Sequence, residues 1–310
     1  MRILVVGAGA TGGYFGARLV QAGRDVTFLV RPRRADRMAE RGLRVTGLGE
    51  RTVFRPRVIG VEGIDGPYDL VLLAVKATGL DQAVADVARA VGPDTLIVPF
   101  LNGLRHIDTL AARFGDGAVL GGVAKVATAL DAQGDIVRLA DVQDLRYGAR
   151  RGTAPARLAE VHRVLSDAGF PTGLSADIDT EMWSKWIFIA SVGAVTCLMR
   201  GSVGEVVAVP GGAEFATAVV EECASVAAAA GHPAPDPALR QTLASVTQEA
   251  SPLTSSLYRD VTQGFSAEVE HVFGDLVRRA DEFGIAVPLL GLTTAHLRVH
   301  QNRVEGTRVG

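Results

Sequence analysis

Short runs of Val, Leu and Ile alternate with helix-spaced apolar residues through the first half of the chain. That pattern predicts strand–helix–strand units and a parallel sheet. Strands are expected over residues 2–6, 25–30, 70–75 and 95–100, with helices over 11–22, 80–90 and 104–114. Residues 119–124 continue the series. Two short strands follow at 136–139 and 145–147, and turn residues at Asp131, Gln133-Gly134 and Asp141 predict antiparallel pairing there. After Pro171 the texture changes. From about residue 178 to 299 the apolar positions recur at helical spacing, broken at Pro210-Gly211-Gly212, at 231–237 and at 284–288. The predicted boundary lies near residue 174, dividing the chain into domains 1–174 and 175–310, the second all-helical. No internal repeat stands out, and the last ten residues are expected to be loose.

Composition narrows the class. The 310 residues are 48% hydrophobic and 21% charged, which excludes disorder and collagen-like structure. Lys and Arg number 32 against 34 Asp and Glu, for a formal net charge of -2, so no global attraction draws nucleic acid or anionic membrane. The two cysteines, Cys197 and Cys223, are too few and too separated for a disulfide scaffold or zinc site and read as buried spectators. The histidines show no metal-ligand grouping either. The run 3–6 is too short for a secretory signal core. The longest uncharged apolar stretch, 186–199, is 14 residues, short of the roughly 20 that span a bilayer, and predicts a buried helix. A soluble, cytoplasmic protein is expected.

Gly7-Ala8-Gly9-Ala10-Thr11-Gly12 is a G-x-G-x-x-G directly after the first strand and opening a helix. Glycines in this spacing permit a tight turn, close approach of backbone to a pyrophosphate and close helix–strand packing, while the helix N-terminus offers N–H groups to phosphate. The motif alone is weak; at the head of a strand–helix–strand unit it is strong. It predicts a Rossmann-type doubly wound α/β sheet, with Gly7, Gly9, Ala10, Thr11 and Gly12 binding the cofactor. An NAD site places a carboxylate at the end of the second strand, but that strand ends in Val30-Arg31, followed by Pro32-Arg33-Arg34. A guanidinium binds a 2′-phosphate bidentately where a carboxylate would repel it. NADP(H) is therefore expected, with Arg31 leading and Arg33 or Arg34 supporting; an exposed basic loop is the alternative.

Three further segments carry chemistry. Lys76 stands at the carboxyl end of a buried parallel strand, where ligands of open α/β sheets bind, and Asn102 in Leu101-Asn102-Gly103 does so one strand later. In the helical half, Glu181-Met-Trp-Ser-Lys185 places a cation ahead of the uncharged run. With the N-terminal fingerprint, and with Ser255-Ser256, Glu268, Arg278-Arg279-Ala280 and Gly284-Ile285-Ala286-Val287-Pro288 in order after them, the chain resembles the ketopantoate reductase (2-dehydropantoate 2-reductase) family over nearly its whole length. The resemblance implies NADPH-dependent reduction of a 2-keto acid to a 2-hydroxy acid in the cleft between the domains, by default the reductive step of pantothenate synthesis. It also implies a catalytic role for Lys185, cofactor and substrate contacts for Lys76 and Asn102, and substrate or catalytic-support roles for Ser256 and Glu268.

Each residue also has a plainer reading. Lys185 at a helix start can snorkel to solvent. Lys76 can pair with Asp69 or Asp81, and Asn102 can simply shape its Asn-Gly turn. Ser256 reads equally as an N-cap or surface hydroxyl, Glu268 as a solvated helix face, and His271 as structural. The chain also departs from the resembled family. Ile189 and Gly193, four and eight residues after Lys185, and Val203 stand where the family commonly carries asparagine. Only Thr196 returns a hydroxyl to that face. A more apolar pocket, roomier beside Gly193, is expected, and with it a different, less polar or bulkier oxo acid or ketone as rival substrate. A non-catalytic NADPH-binding sensor and a reductase of imines are the remaining alternatives. A homodimer is one reading of the Ala-rich stretch 224–230.

Overall fold

The computed structural model describes residues 1–151 and 153–306. The chain forms two compact units, the first comprising Met1–Leu101 and His106–Ile178, the second Asn102–Arg105 and the residues from Asp179 onward.

The first unit opens β1 (Arg2–Val6), α1 (Ala10–Gln21), β2 (Asp25–Leu29), α2 (Pro32–Arg41), β3 (Leu43–Gly47), β4 (Glu50–Phe54) and β5 (Arg57–Ile59). It continues through β6 (Leu70–Leu73), α3 (Leu80–Asp86), β7 (Leu96–Pro99), α4 (Arg105–Phe114), β8 (Gly121–Leu130), β9 (Ile136–Gly148), α5 (Pro155–Leu165) and β10 (Thr172–Leu174). The parallel sheet has the order β5-β2-β1-β6-β7. Its inner strands are apolar without alternation because both faces are covered: Ile3, Leu4, Val5 and Leu70 to Leu73 are all fully buried. A second sheet, order β10-β9-β3-β4 with β8 paired to β9, packs behind α1.

Two ties fix α1 to that second sheet. Tyr14 donates its hydroxyl proton to Gln143 of β9. Arg18 forks onto Glu50 of β4 at 2.5 and 2.8 Å, and Arg138 reaches the same carboxylate at 3.5 Å. Burial pushes the Glu50 carboxyl up, but the Arg18 hydrogen bonds and the nearby Arg138 outweigh it and hold the group below its ordinary value.

The predicted strands 2–6, 25–30, 70–75 and 95–100 stand in the parallel sheet with bounds shifted by a residue or two, but the continuation expected at 119–124 does not: from Gly121 the chain forms β8, which pairs antiparallel with β9 in the second sheet. The predicted helix 80–90 is shorter: it ends at Asp86 and tightens into a separate turn, Ala88–Ala90, ahead of Gly92-Pro93. The predicted strands 136–139 and 145–147 are one thirteen-residue strand, β9, antiparallel to β8. Its middle, from Leu139 to Val142, is solvent-exposed, and Asp141 there reads in sequence as a turn residue.

The second unit is helical: α6 (Ile178–Met199), α7 (Val203–Val207), α8 (Gly212–Ala229), α9 (Asp236–Val246), α10 (Ser256–Thr262), α11 (Asp275–Glu282) and α12 (Pro288–Gly306), with a π-helical turn at Glu270–Gly274 running into α11. By length and composition α6 could cross a membrane, yet 67% of its apolar window is buried inside the protein. Both cysteine thiols are fully buried, and desolvation pushes Cys197 up to about 11 and Cys223 to about 12, which leaves them unreactive. The expectation of ten loose C-terminal residues is corrected for 301–306. There α12 continues because Gln301 accepts the Ala267 N–H at 3.1 Å and donates to Ser266 at 2.8 Å. Residues 307–310 lie outside the described residues.

Candidate functional site

The glycine loop leaves β1 at the sheet's centre. Gly7 has φ +93°, and a Cβ there would lie 2.9 Å from the Ala74 carbonyl oxygen. A Cβ on Gly12 would lie 2.4 Å from the Gly7 carbonyl oxygen and 2.5 Å from Ala74 Cβ. Packing alone therefore demands both glycines. Gly9 is different. Its φ is -75°, open to any residue, and a Cβ there would meet nothing within 4 Å. The fold gives Gly9 no reason to be glycine; an approaching ligand does. Gly9 is also the N-cap of α1, no side chain caps that helix, and no acid stands in its first turn, formed by Ala10, Thr11 and Gly12. The loop thus fits a dinucleotide pyrophosphate, set on a helix N-terminus with a side-chain-free approach.

The basic segment beyond β2 divides in two. Arg31 caps α2 and is exposed, and a Cβ on Gly79 would lie 3.3 Å from its Nη2. Gly79 closes the turn that begins at Ala77, directly after Lys76 at the end of β6. The sheet order puts both segments at the carboxyl end of the sheet, one on each side of β1, and the Arg31 guanidinium lies beside the turn that follows Lys76. Arg33 is exposed. Arg34 is committed elsewhere: it donates to the Gly134 carbonyl at 2.7 Å, in the turn between β8 and β9. Burial, with Arg37 beside it, pulls its pKa down. Arg34 does not support Arg31.

In the helical unit, Asn102 and Glu268 come together, Asn102 Nδ2 donating to Glu268 Oε2 at 3.4 Å. Asn102 leaves the end of the parallel sheet but belongs to the second unit by its packing. Its neighbour Gly103 has φ +72°, and a Cβ there would lie 2.1 Å from the His271 carbonyl oxygen, so only glycine admits this approach. Lys185 lies half-buried on α6, and the adjacent Trp186, fully buried, donates its indole N–H to the Val272 carbonyl at 2.9 Å. Sequence reasoning passed over Trp186, Phe273 and the π-helical turn. A tryptophan beside a candidate lysine was the only signal, since such a turn has no residue signature of its own.

Several expectations are corrected here. Thr196 is fully buried, and its hydroxyl donates to the Val192 carbonyl at 2.7 Å while pairing with Ser255 at 3.0 Å. Its hydrogen-bonding capacity is spent on joining α6 to α10, and it offers nothing to a ligand. Ser255, not Ser256, caps α10, accepting the Tyr258 N–H at 2.9 Å; Ser256 is the exposed first residue of that helix. The space expected beside Gly193 is filled, because a Cβ there would lie 3.0 Å from the ring of Phe273, itself fully buried. Val203 is also buried, at the start of α7.

Profiles of the ketopantoate reductase PanE/ApbA family match residues 3–152, and those of its C-terminal part match residues 177–301. An uncharacterized oxidoreductase of Bacillus subtilis, YkpB, is 33% identical over 302 residues, covering 97% of this chain and 99% of that one. A crystal structure of a PanE/ApbA family ketopantoate reductase from Ralstonia eutropha matches with a TM-score of 0.87 at 25% identity, over 98% of this chain and 100% of that one. D-mandelate dehydrogenase, solved with NADH and anilino(oxo)acetate, shares the fold at a TM-score of 0.87 and 19% identity, over 98% and 99% of the two chains.

Replacing Gly9 with valine separates ligand from fold. The melting temperature of Gly9→Val is expected to stay within about 2 °C of wild type, because its Cβ meets no atom within 4 Å and its backbone is already extended. Dinucleotide affinity, read by fluorescence or calorimetry, is expected to fall at least about tenfold. A variant that binds as tightly as wild type would remove the loop from the site.

Proposed function

The chain belongs to the ketopantoate reductase family of oxidoreductases, and from that premise we propose that it reduces a 2-oxo acid to the 2-hydroxy acid with NADPH, Lys185 acting as general acid. The observation that carries this reading is the Asn102–Glu268 contact, which joins a sheet-end amide to a carboxylate in the unit that also holds Lys185.

A bound dihydronicotinamide supplies the hydride to the carbonyl carbon. Negative charge then develops on the carbonyl oxygen, and the Lys185 ammonium stabilises it and delivers the proton that completes the alcohol. Half-burial ahead of the uncharged run 186–199 strengthens that interaction by lowering the local dielectric. Glu268 holds one N–H of Asn102, which orients the carboxamide and directs its oxygen and second N–H at cofactor ribose or substrate. Lys76 supplies a cation for the substrate carboxylate or ribose, and Ser256 an exposed hydroxyl to the substrate. The loop from Gly7 to Gly12 holds the pyrophosphate and Arg31 the 2′-phosphate. In this reading the protein is a soluble cytoplasmic enzyme, and pantoate formation is its default reaction.

A second substrate reading rests on Ile189 and Gly193. Neither position carries an amide, and Phe273 occupies the volume beside Gly193. A substrate with an apolar group in place of a hydroxylated one suits positions without amides better, because a hydroxyl left without a partner there would cost about 1–3 kcal/mol.

Arg31→Ala is expected to weaken NADPH binding about tenfold or more while leaving NADH affinity unchanged, as loss of one charge-assisted fork requires. Equal weakening of both nucleotides would take the 2′-phosphate away from Arg31. For catalysis, loss of dihydronicotinamide absorbance is followed with ketopantoate and with 2-oxo acids bearing alkyl or aryl groups. Turnover is expected on at least one, and Lys185→Ala is expected to lower kcat about 10²- to 10⁴-fold with NADPH affinity retained. No turnover on the whole panel would leave a dinucleotide sensor as the better description.

A further inference from the structure

We propose that the π-helical turn Glu270–Gly274 is the element that sets the spacing of the site residues in the helical unit, and that Trp186 is its positioning residue; the inference rests on the reductase reading. Between Glu270 and Asp275 the helical ladder widens, the Asp275 N–H bonding to the Glu270 carbonyl. Such a turn inserts a residue into a helix, is rarely formed without outside support, and recurs where helices serve a site.

Here the support comes from two residues that each adjoin a site residue. Trp186, next to Lys185, donates its buried indole N–H to the Val272 carbonyl at 2.9 Å. Gly103, next to Asn102, lies so close to the His271 carbonyl that a Cβ would sit 2.1 Å from its oxygen. The turn's own approach is tied to the third site residue: the Val272 N–H bonds to the Glu268 carbonyl at 3.1 Å, and the Glu268 side chain accepts from Asn102. Phe273 then fills the space at Gly193, two helical turns beyond Lys185.

One five-residue turn thus touches the segments that carry Lys185, Asn102 and Glu268, through successive residues His271, Val272 and Phe273. Loss of the indole N–H leaves the Val272 carbonyl buried without that donor and lets the turn shift against α6. Lys185 and the Asn102–Glu268 pair then lose their spacing, and transition-state geometry suffers before cofactor binding does.

The test compares Trp186→Phe with Trp183→Phe. The two tryptophans are neighbours, ring centroids 4.9 Å apart, so both changes disturb the same cluster, but only the first removes the bond to the turn. Trp186→Phe is expected to lower kcat about 10- to 100-fold with KM and NADPH affinity near wild type, and Trp183→Phe to lower the melting temperature without that kinetic loss. Amide hydrogen exchange reads the same coupling without turnover. In Trp186→Phe, exchange is expected to quicken roughly tenfold across residues 268–274 and also across 102–105. Equal kinetic losses in the two variants, or unchanged exchange in both segments, would overturn the proposal. If wild type reduces no oxo acid, the functional reading falls while the exchange measurement still decides the role of Trp186.

Discussion

Helix α1 rests on the parallel sheet only because residues 7 and 12 have no side chains. With Gly12 against the Gly7 carbonyl and Ala74, any larger residue would lift the helix and turn its N-terminus away from the end of β1. The Arg18–Glu50 fork and the Tyr14–Gln143 bond hold the same helix from behind. From that placement follow an uncapped helix start and an unobstructed approach at Gly9. Such an arrangement fits a dinucleotide pyrophosphate at the helix start.

The helical unit answers a different requirement. A reductase must protonate an oxygen as it becomes an alkoxide, and must do so where water does not compete. The long apolar helix α6 buries most of its surface and carries Lys185 just ahead of its uncharged run. Asn102 arrives from the sheet, yet packs with the helices and meets Glu268 there. The cost of holding the segment 102–105 close to the π-helical turn is a left-handed backbone at Gly103, which glycine tolerates and other residues do not.

The parallel sheet was legible because its strands are buried on both faces and read as unbroken apolar runs. The second sheet was legible only in part: pieces of β8 and β9 and their antiparallel pairing could be read, but not β3 and β4. β3 and β4 alternate buried with exposed positions, as in Leu43 and Val45 against Arg44, over only five residues each, and the hairpin turn Gly47-Leu48-Gly49 between them went unread. Of the candidate residues, Asn102 and Glu268, both singled out by resemblance, stand in contact. Thr196 was misjudged because helical spacing gives a face but not what packs against it, and Ser255 from a distant segment takes its hydroxyl. Gly193 misled for the same reason. A missing side chain reads as space in sequence, whereas Phe273 from another element fills it. Contacts of this kind depend on tertiary packing, and local pattern carries no record of them.

The central claim is that the Lys185 ammonium provides the proton that accompanies the hydride. It is tested most directly by the pH dependence of the hydride-transfer rate in single turnovers, wild type against Lys185→Ala. A general acid works only while protonated, so the wild-type rate should fall as pH rises through the titration of that ammonium, and the slower variant should lack this alkaline limb. The same limb in both proteins, at comparable rates, would contradict the account.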